Sequence, residues 1–158
     1  LATVPDATSW TAQHDIASLT PATNGLVSAL SGSDPYMAGP ARDYPAGKLL
    51  WLRVRLKADQ PGTAQMFYYQ SGPTEANSVR FYVPGGGWQE ALVPMPALGA
   101  GWKLRFDPPG TGGTCTLARI GFDERVIYPP PAWPTGTDMQ ACSPLGHGTS
   151  SCSAPRTP

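Results

Sequence analysis

Residues 48–58, KLLWLRVRLKA, alternate with a period of two: Leu50, Leu52, Val54 and Leu56 fall on one side, Trp51, Arg53, Arg55 and Lys57 on the other. Successive side chains of an extended chain point to opposite faces. The run therefore hides its aliphatic side only as a strand laid against a second layer. No run along the chain places apolar residues at i, i+3, i+4 and i+7 convincingly enough to argue for a helix. GWKLRFDPPG (101–110) repeats the alternation, with Trp102, Leu104 and Phe106 against Lys103, Arg105 and Asp107, and stops at Asp-Pro. In SVRFYV (78–83), Val79, Phe81 and Val83 are expected inside and Arg80 and Tyr82 outside.

Other strand candidates are TAQHDIAS (11–18), NGLVSALSG (24–32) after an Asn-Gly turn, AQMFYYQ (64–70), WQEALVPM (88–95) after three glycines, and CTLARIGF (115–122). AQMFYYQ is apolar or aromatic on both sides, so its inner face stays open. In CTLARIGF, Leu117 and Ile120 are three apart, which breaks the alternation and predicts a bulge. The 18 glycines and 19 prolines punctuate these runs. About eight short strands between turn signals predict an all-β fold, an antiparallel β-sandwich of jelly-roll type, over residues 1–125.

From Val126 the texture changes. Residues 126–158 are rich in Pro, Ser and Thr and nearly free of charge, as expected of a tail or linker. Cys142 and Cys152 end the eleven-residue segment CSPLGHGTSSC, a loop that a disulfide could close, leaving Cys115 over. Such a disulfide would suit a secreted or periplasmic setting. The chain begins at Leu1, as expected of a piece of a longer protein. With 11 basic and 11 acidic side chains it lacks the basic excess of a nucleic-acid binder, and no run of 18 apolar residues suits a membrane span.

Catalytic signals are sparse. His14 and His147 lie near opposite ends, there is no Gly-x-Ser-x-Gly elbow, and Glu75 and Glu90 sit in or beside turns. Two Asp-Pro pairs, Asp34-Pro35 and Asp107-Pro108, have a plain reading as turn geometry. Their sharper reading is calcium, a hard cation that takes carboxylate oxygens, with Asp34, Asp107 and Asp123, and also Glu124, as candidate ligands. The outward aromatics say more. Trp51, Tyr82 and either Phe67 with Tyr69 or Met66 with Tyr68 fall on strand faces that also carry Arg53, Arg55 and Arg80, and Tyr69 is taken as the site residue of that run. Aromatic rings stack on the C–H faces of sugars, and guanidinium groups bond hydroxyls and carboxylates. Trp51, Tyr69, Tyr82 and the three arginines are the candidate carbohydrate site. Trp10, Trp88 and Trp102 are expected in the core or at its rim.

The order of Trp10, GSDPYM (32–37), LLWLRVRLK (49–57), AQMFYYQ, NSVRFYV (77–83), GGWQEALVPMPAL (86–98), WKLRFDPPG (102–110) and LARIGF (117–122) resembles β-sandwich carbohydrate-binding modules of the galactose-binding-like type. The resemblance covers roughly residues 8–125. It implies a non-catalytic module that holds a parent enzyme on a polysaccharide, with arginines suggesting an anionic one, and often a structural calcium. It assigns no binding residue. Two rivals stay open: a structural domain packed on a catalytic partner, and a small polysaccharide lyase or hydrolase.

Overall fold

A computed structural model describes residues 2–3 and 9–132. The chain clusters into two units, Leu1–Val126 and Ile127–Pro158. The described part of the second unit, residues 127–132, carries no helix or strand. Cys142, His147 and Cys152 lie outside the described residues, and so does any loop the two cysteines close.

The first unit is an antiparallel β-sandwich. Its strands are β1 (Ala2–Thr3), β2 (Thr11–His14), β3 (Ile16–Ala22), β4 (Gly25–Leu30), β5 (Tyr36–Ala38), β6 (Leu50–Ala58), β7 (Gly62–Tyr69), β8 (Ser78–Val83), β9 (Trp88–Met95), β10 (Lys103–Asp107) and β11 (Gly113–Glu124). Sheet 1 runs β3-β4-β11-β6-β9, with β1 paired to β11; sheet 2 runs β2-β5-β10-β7-β8. One core joins them. Leu26, Leu52, Val54, Leu56 and Leu117 of sheet 1 meet Met37, Met66, Tyr68, Leu104 and Phe106 of sheet 2. Because the inner faces are shut against each other, the two outer faces look in opposite directions.

The alternation of β6 holds: Leu50, Leu52, Val54, Leu56 and Ala58 are buried. β7 turns Ala64, Met66 and Tyr68 inward and Gln65, Phe67 and Tyr69 outward, settling its ambiguous face. The bulge expected between Leu117 and Ile120 is present. The β11–β6 register shifts between Leu117 and Arg119, so that both Leu117 and Ile120 are buried. Gly25 closes the β3–β4 hairpin with φ +140°, and a β-carbon there would run into the Leu117 carbonyl.

The expected strand 11–18 is in fact two, which is one reason the count exceeds eight. Asp15, with φ +46°, breaks it and carries the chain from β2 in sheet 2 to β3 in sheet 1. Asp is among the few residues that tolerate this conformation. The Asp15 carbonyl accepts the Ser31 N–H at 2.9 Å, and its carboxylate accepts the Asp34 N–H at 3.0 Å. β5 was also missed because it is only three residues long.

At the far end of β6, the Asp59 Oδ2 accepts the Thr114 N–H at 2.7 Å and its hydroxyl at 3.0 Å. The backbone bond, then the hydroxyl bond, hold the Asp59 carboxyl below its ordinary value. Cys115 is a core residue, and burial, with the Asp59 charge adding, pushes its thiol up to about 12.

Candidate functional site

The six residues chosen from the sequence occupy both outer faces. Tyr69, Arg80 and Tyr82 belong to sheet 2; Trp51, Arg53 and Arg55 belong to sheet 1. They form two surfaces, and the sandwich lies between them.

On sheet 2, pairing places Arg105 opposite both Ala38 and Phe67, and Gln65 opposite both Asp107 and Arg80. His14 and Tyr36 pair across β2 and β5. These registers assemble a stack. The His14 and Tyr36 rings lie 5.6 Å apart and 9° from parallel. The Arg105 Cζ sits 3.5 Å from the Tyr36 ring centroid and 4.8 Å from that of Phe67. Arg105 Nε and Nη2 donate to the two carboxylate oxygens of Asp107, both at 2.7 Å. Two residues apart on one strand, the two side chains share a face, and the fork meets the carboxylate squarely. The Arg105 and Asp107 side chains are each 18% exposed.

Burial weighs against the Arg105 charge, but Asp107, Tyr36 and Asp34 outweigh it and raise its pKa. Burial raises the Asp107 carboxyl above its ordinary value, although Arg105 draws it down.

Beside this stack lies a polar network. Gln65 Nε2 donates to Glu75 Oε2 at 2.9 Å and to Ser78 Oγ at 2.8 Å, and Arg80 Nη2 donates to Glu75 Oε2 at 2.8 Å. Ser78 Oγ donates to the Glu75 carbonyl at 2.8 Å. Tyr82 is 68% exposed, while Tyr69 is half-buried at the other end of β7. Thr63, the partner of Tyr82, and Tyr69 are six residues apart, about 20 Å along a strand. Tyr36 and Phe67 have guanidinium-covered rings, whereas Tyr82 and Tyr69 are outward tyrosines of this face outside that stack. Arg80 pairs with Glu75 and Arg105 with Asp107 and Asp34, and Lys103 is the third cation, opposite Tyr69, so three cations stand against three carboxylates.

Sequence reasoning passed over Tyr36, Gln65 and Arg105 as site residues, and it left Phe67 as one half of an outward pair that strand β7 could equally have turned inward. Only the alternation of β10 hinted at an outward Arg105. No local signal brings residues 36, 67 and 105 together; strand pairing does.

On sheet 1, Arg53 Nη2 meets Asp123 Oδ2 at 3.2 Å, and Arg55 Nη1 meets Glu90 Oε1 at 3.5 Å. The Arg125 Cζ lies 5.6 Å from the Trp51 ring centroid, and the Arg55 Cζ 5.3 Å from that of Trp88. Trp10 is core and Trp102 packs against it half-buried, but Trp88 is exposed on this face. Trp88 opens β9 opposite Lys57, an outward residue, and that register turns it out.

The calcium ligand set does not assemble. Asp34 and Asp107 approach the same guanidinium, with Asp34 Oδ1 at 3.8 Å from Arg105 Nη2, while Asp123 is on the opposite outer face. Among the described residues no three His, Cys, Asp or Glu side chains gather in a metal-holding group. Arg105 supplies the positive charge that these Asp-Pro carboxylates meet, so Asp34, Asp107 and Asp123 together do not fit a calcium ion. Glu75, in the turn before β8, pairs with Arg80 of sheet 2, and Glu90, on β9 of sheet 1, pairs with Arg55, so the two stand on opposite sides of the sandwich and cannot flank one glycosidic bond.

A cavity of about 180 Å³ opens against Trp10, Tyr44, Leu50, Leu104 and Phe122. The Tyr44 hydroxyl there is buried without a hydrogen-bond partner, and burial pushes its pKa up to about 12, which keeps it protonated.

No protein-family model and no curated protein sequence matches the chain. Solved structures do match. A C-terminal CBM6 of a marine laminarinase from Zobellia galactanivorans aligns with 14% identity and TM-score 0.58, over 78% of this chain and all of that one. A family 6 carbohydrate-binding module from Clostridium cellulolyticum, solved with xylose, aligns with 16% identity and TM-score 0.57, over 75% and 95%. A family 35 carbohydrate-binding module from Clostridium thermocellum aligns with 11% identity and TM-score 0.58, over 77% and 97%. The shared feature is the β-sandwich.

Proposed function

We propose that this chain, which has the β-sandwich fold of carbohydrate-binding modules, is a non-catalytic module that binds a polysaccharide on the outer face of sheet 2. The observation that carries the reading is that face itself. It has an exposed Tyr82 and a half-buried Tyr69 about 20 Å apart, with the Gln65–Glu75–Arg80 network and the Arg105–Asp107 pair between them. The rings stack on sugar C–H faces; the fixed donors and acceptors meet hydroxyls. Balanced charge suits a neutral polymer.

The stack of His14, Tyr36, Arg105 and Phe67 acts beneath the ligand, holding the face flat and rigid so that little ordering remains to be done on binding. In this reading the module is exported, and it keeps a parent catalytic domain on its substrate. A weak single site gains strength from that tether. The pairing of each candidate acid with arginine supports a binding role over a catalytic one.

Affinity electrophoresis in gels containing neutral polysaccharides tests this. The native chain is retarded by at least one of them, and Tyr82→Ala migrates freely. Retardation that survives alanine at both Tyr69 and Tyr82 removes the site. Absence of retardation in every gel favours the structural rival, and release of new reducing ends favours the enzyme.

A further inference from the structure

We propose that the outer face of sheet 1 is a second binding surface, for an acidic polysaccharide, centred on the Arg55–Arg119 pair. It is independent of the sheet 2 reading. Arg119 on β11 pairs directly with Arg55 on β6, and both side chains are exposed. Like charges directly opposite each other across two strands repel. The carboxylate in this row, Glu90, sits on the far side of Arg55, opposite it on β9. Arg119 has no ion pair among the described residues.

The rest of the face compounds the imbalance. Asp123 answers Arg53 and Glu90 answers Arg55, each through an exposed contact. That leaves Arg119, Arg125 and Lys57. Lys57 acts on Asp59, a carboxylate already bonded to Thr114. An anion between Arg55 and Arg119 converts their repulsion into two attractions.

The occupant's chemistry follows from what flanks the cations. Trp51 and Trp88 lie toward the two ends of β6, and Leu92, 49% exposed, lies opposite Arg53 between them. From Trp51 to Lys57 is about 20 Å of strand. A chain of sugar rings bearing carboxylate or sulfate groups offers this surface both its charge and its apolar ring faces. Duplex DNA offers charge alone, and the net charge of +0 gives it no wider attraction.

The test uses the full chain in gels of polygalacturonate, dextran sulfate and neutral dextran, at about 50 mM and about 500 mM salt. The native chain is retarded at low salt by an acidic polymer, whether carboxylated or sulfated, and released at high salt. Arg119→Gln weakens that retardation about threefold and Arg55→Gln with Arg119→Gln about tenfold, as expected for exposed charges. Arg119→Lys keeps most of it. None of these changes affects a neutral glycan bound on sheet 2, and Tyr82→Ala does not affect the acidic one, so the two sites fail separately. No retardation at low salt, or retardation that survives the double change, overturns the proposal. So does binding to duplex DNA as tight as to either acidic polymer. Arg119→Gln removes a repulsion, so its melting temperature is held or raised; a large fall also counts against the pair.

Discussion

The two outer faces of this sandwich use the same vocabulary and do different work with it. Each sets arginine beside aromatic rings and carboxylates. On sheet 2, Arg105 is enclosed by Tyr36 and Phe67 and doubly bonded to Asp107, with both side chains 18% exposed. On sheet 1, Arg53 reaches one oxygen of Asp123 at 3.2 and 3.3 Å and Arg55 one oxygen of Glu90 at 3.5 Å, longer contacts between exposed side chains. Burial makes the difference. An enclosed ion pair is part of the frame and cannot exchange partners cheaply. An exposed one is screened, weak and free to swap its carboxylate for a ligand's. Residue type alone therefore does not separate a framing arginine from an exchangeable one; enclosure does.

The largest effect that tests this contrast is on stability. Arg105→Ala leaves Asp107 half-buried without a cation and uncovers two rings, and it costs about 2–3 kcal/mol. Arg53→Ala, by the same chemical truncation on sheet 1, costs less than about 1 kcal/mol. Urea unfolding of both variants reads the two numbers side by side. Equal losses would break the distinction between frame and exchangeable pair.

Smaller, and read in binding, is the division of ligands. Tyr82→Ala is expected to weaken a neutral glycan about tenfold, or ~1.4 kcal/mol, the scale of a lost ring contact. Trp88→Ala should leave the same glycan unaffected, because it faces away on sheet 1. Titration of both variants with one soluble oligosaccharide sharpens the comparison, and a matching loss from Trp88→Ala would merge the two faces.

What the sequence disclosed follows the same line. A period of two separates inside from outside, and Leu50 to Leu56, Phe81 against Tyr82, and the Leu117–Ile120 bulge were all readable that way. It does not say which of two outsides a residue reaches. Trp51 and Tyr82 look equivalent in sequence, yet they are on opposite sheets because β6 pairs with β11 and β9 whereas β8 pairs with β7. That assignment depends on long-range pairing. Asp15 hid for a local reason: one residue at positive φ moves the chain between sheets without interrupting the pattern around it. Arg105 hid because its partners, Tyr36 and Phe67, are 69 and 38 positions away.

The smallest effect is in pH, and it separates two carboxylates of opposite sign. Asp59, beside β6 of sheet 1, has a carboxyl lowered from the usual 3.8 by the Thr114 bonds. Its unfolded form takes up a proton first as pH falls, so its contribution is present above 3.8 and is lost as pH falls through the lowered value. Asp107 has a carboxyl raised by burial. Its folded form holds the proton more tightly, so its contribution is present below 3.8 and is lost as pH rises through the raised value. Melting temperatures of the native chain, Asp59→Ala and Asp107→Asn across the acid range display both slopes. The penalty of Asp59→Ala shrinks toward acid, while that of Asp107→Asn shrinks as pH climbs from the usual carboxylate value. Slopes of the same sign would mean that Asp107 is governed by its arginine and not by its enclosure, and the frame on sheet 2 would then resemble the exposed pairs of sheet 1.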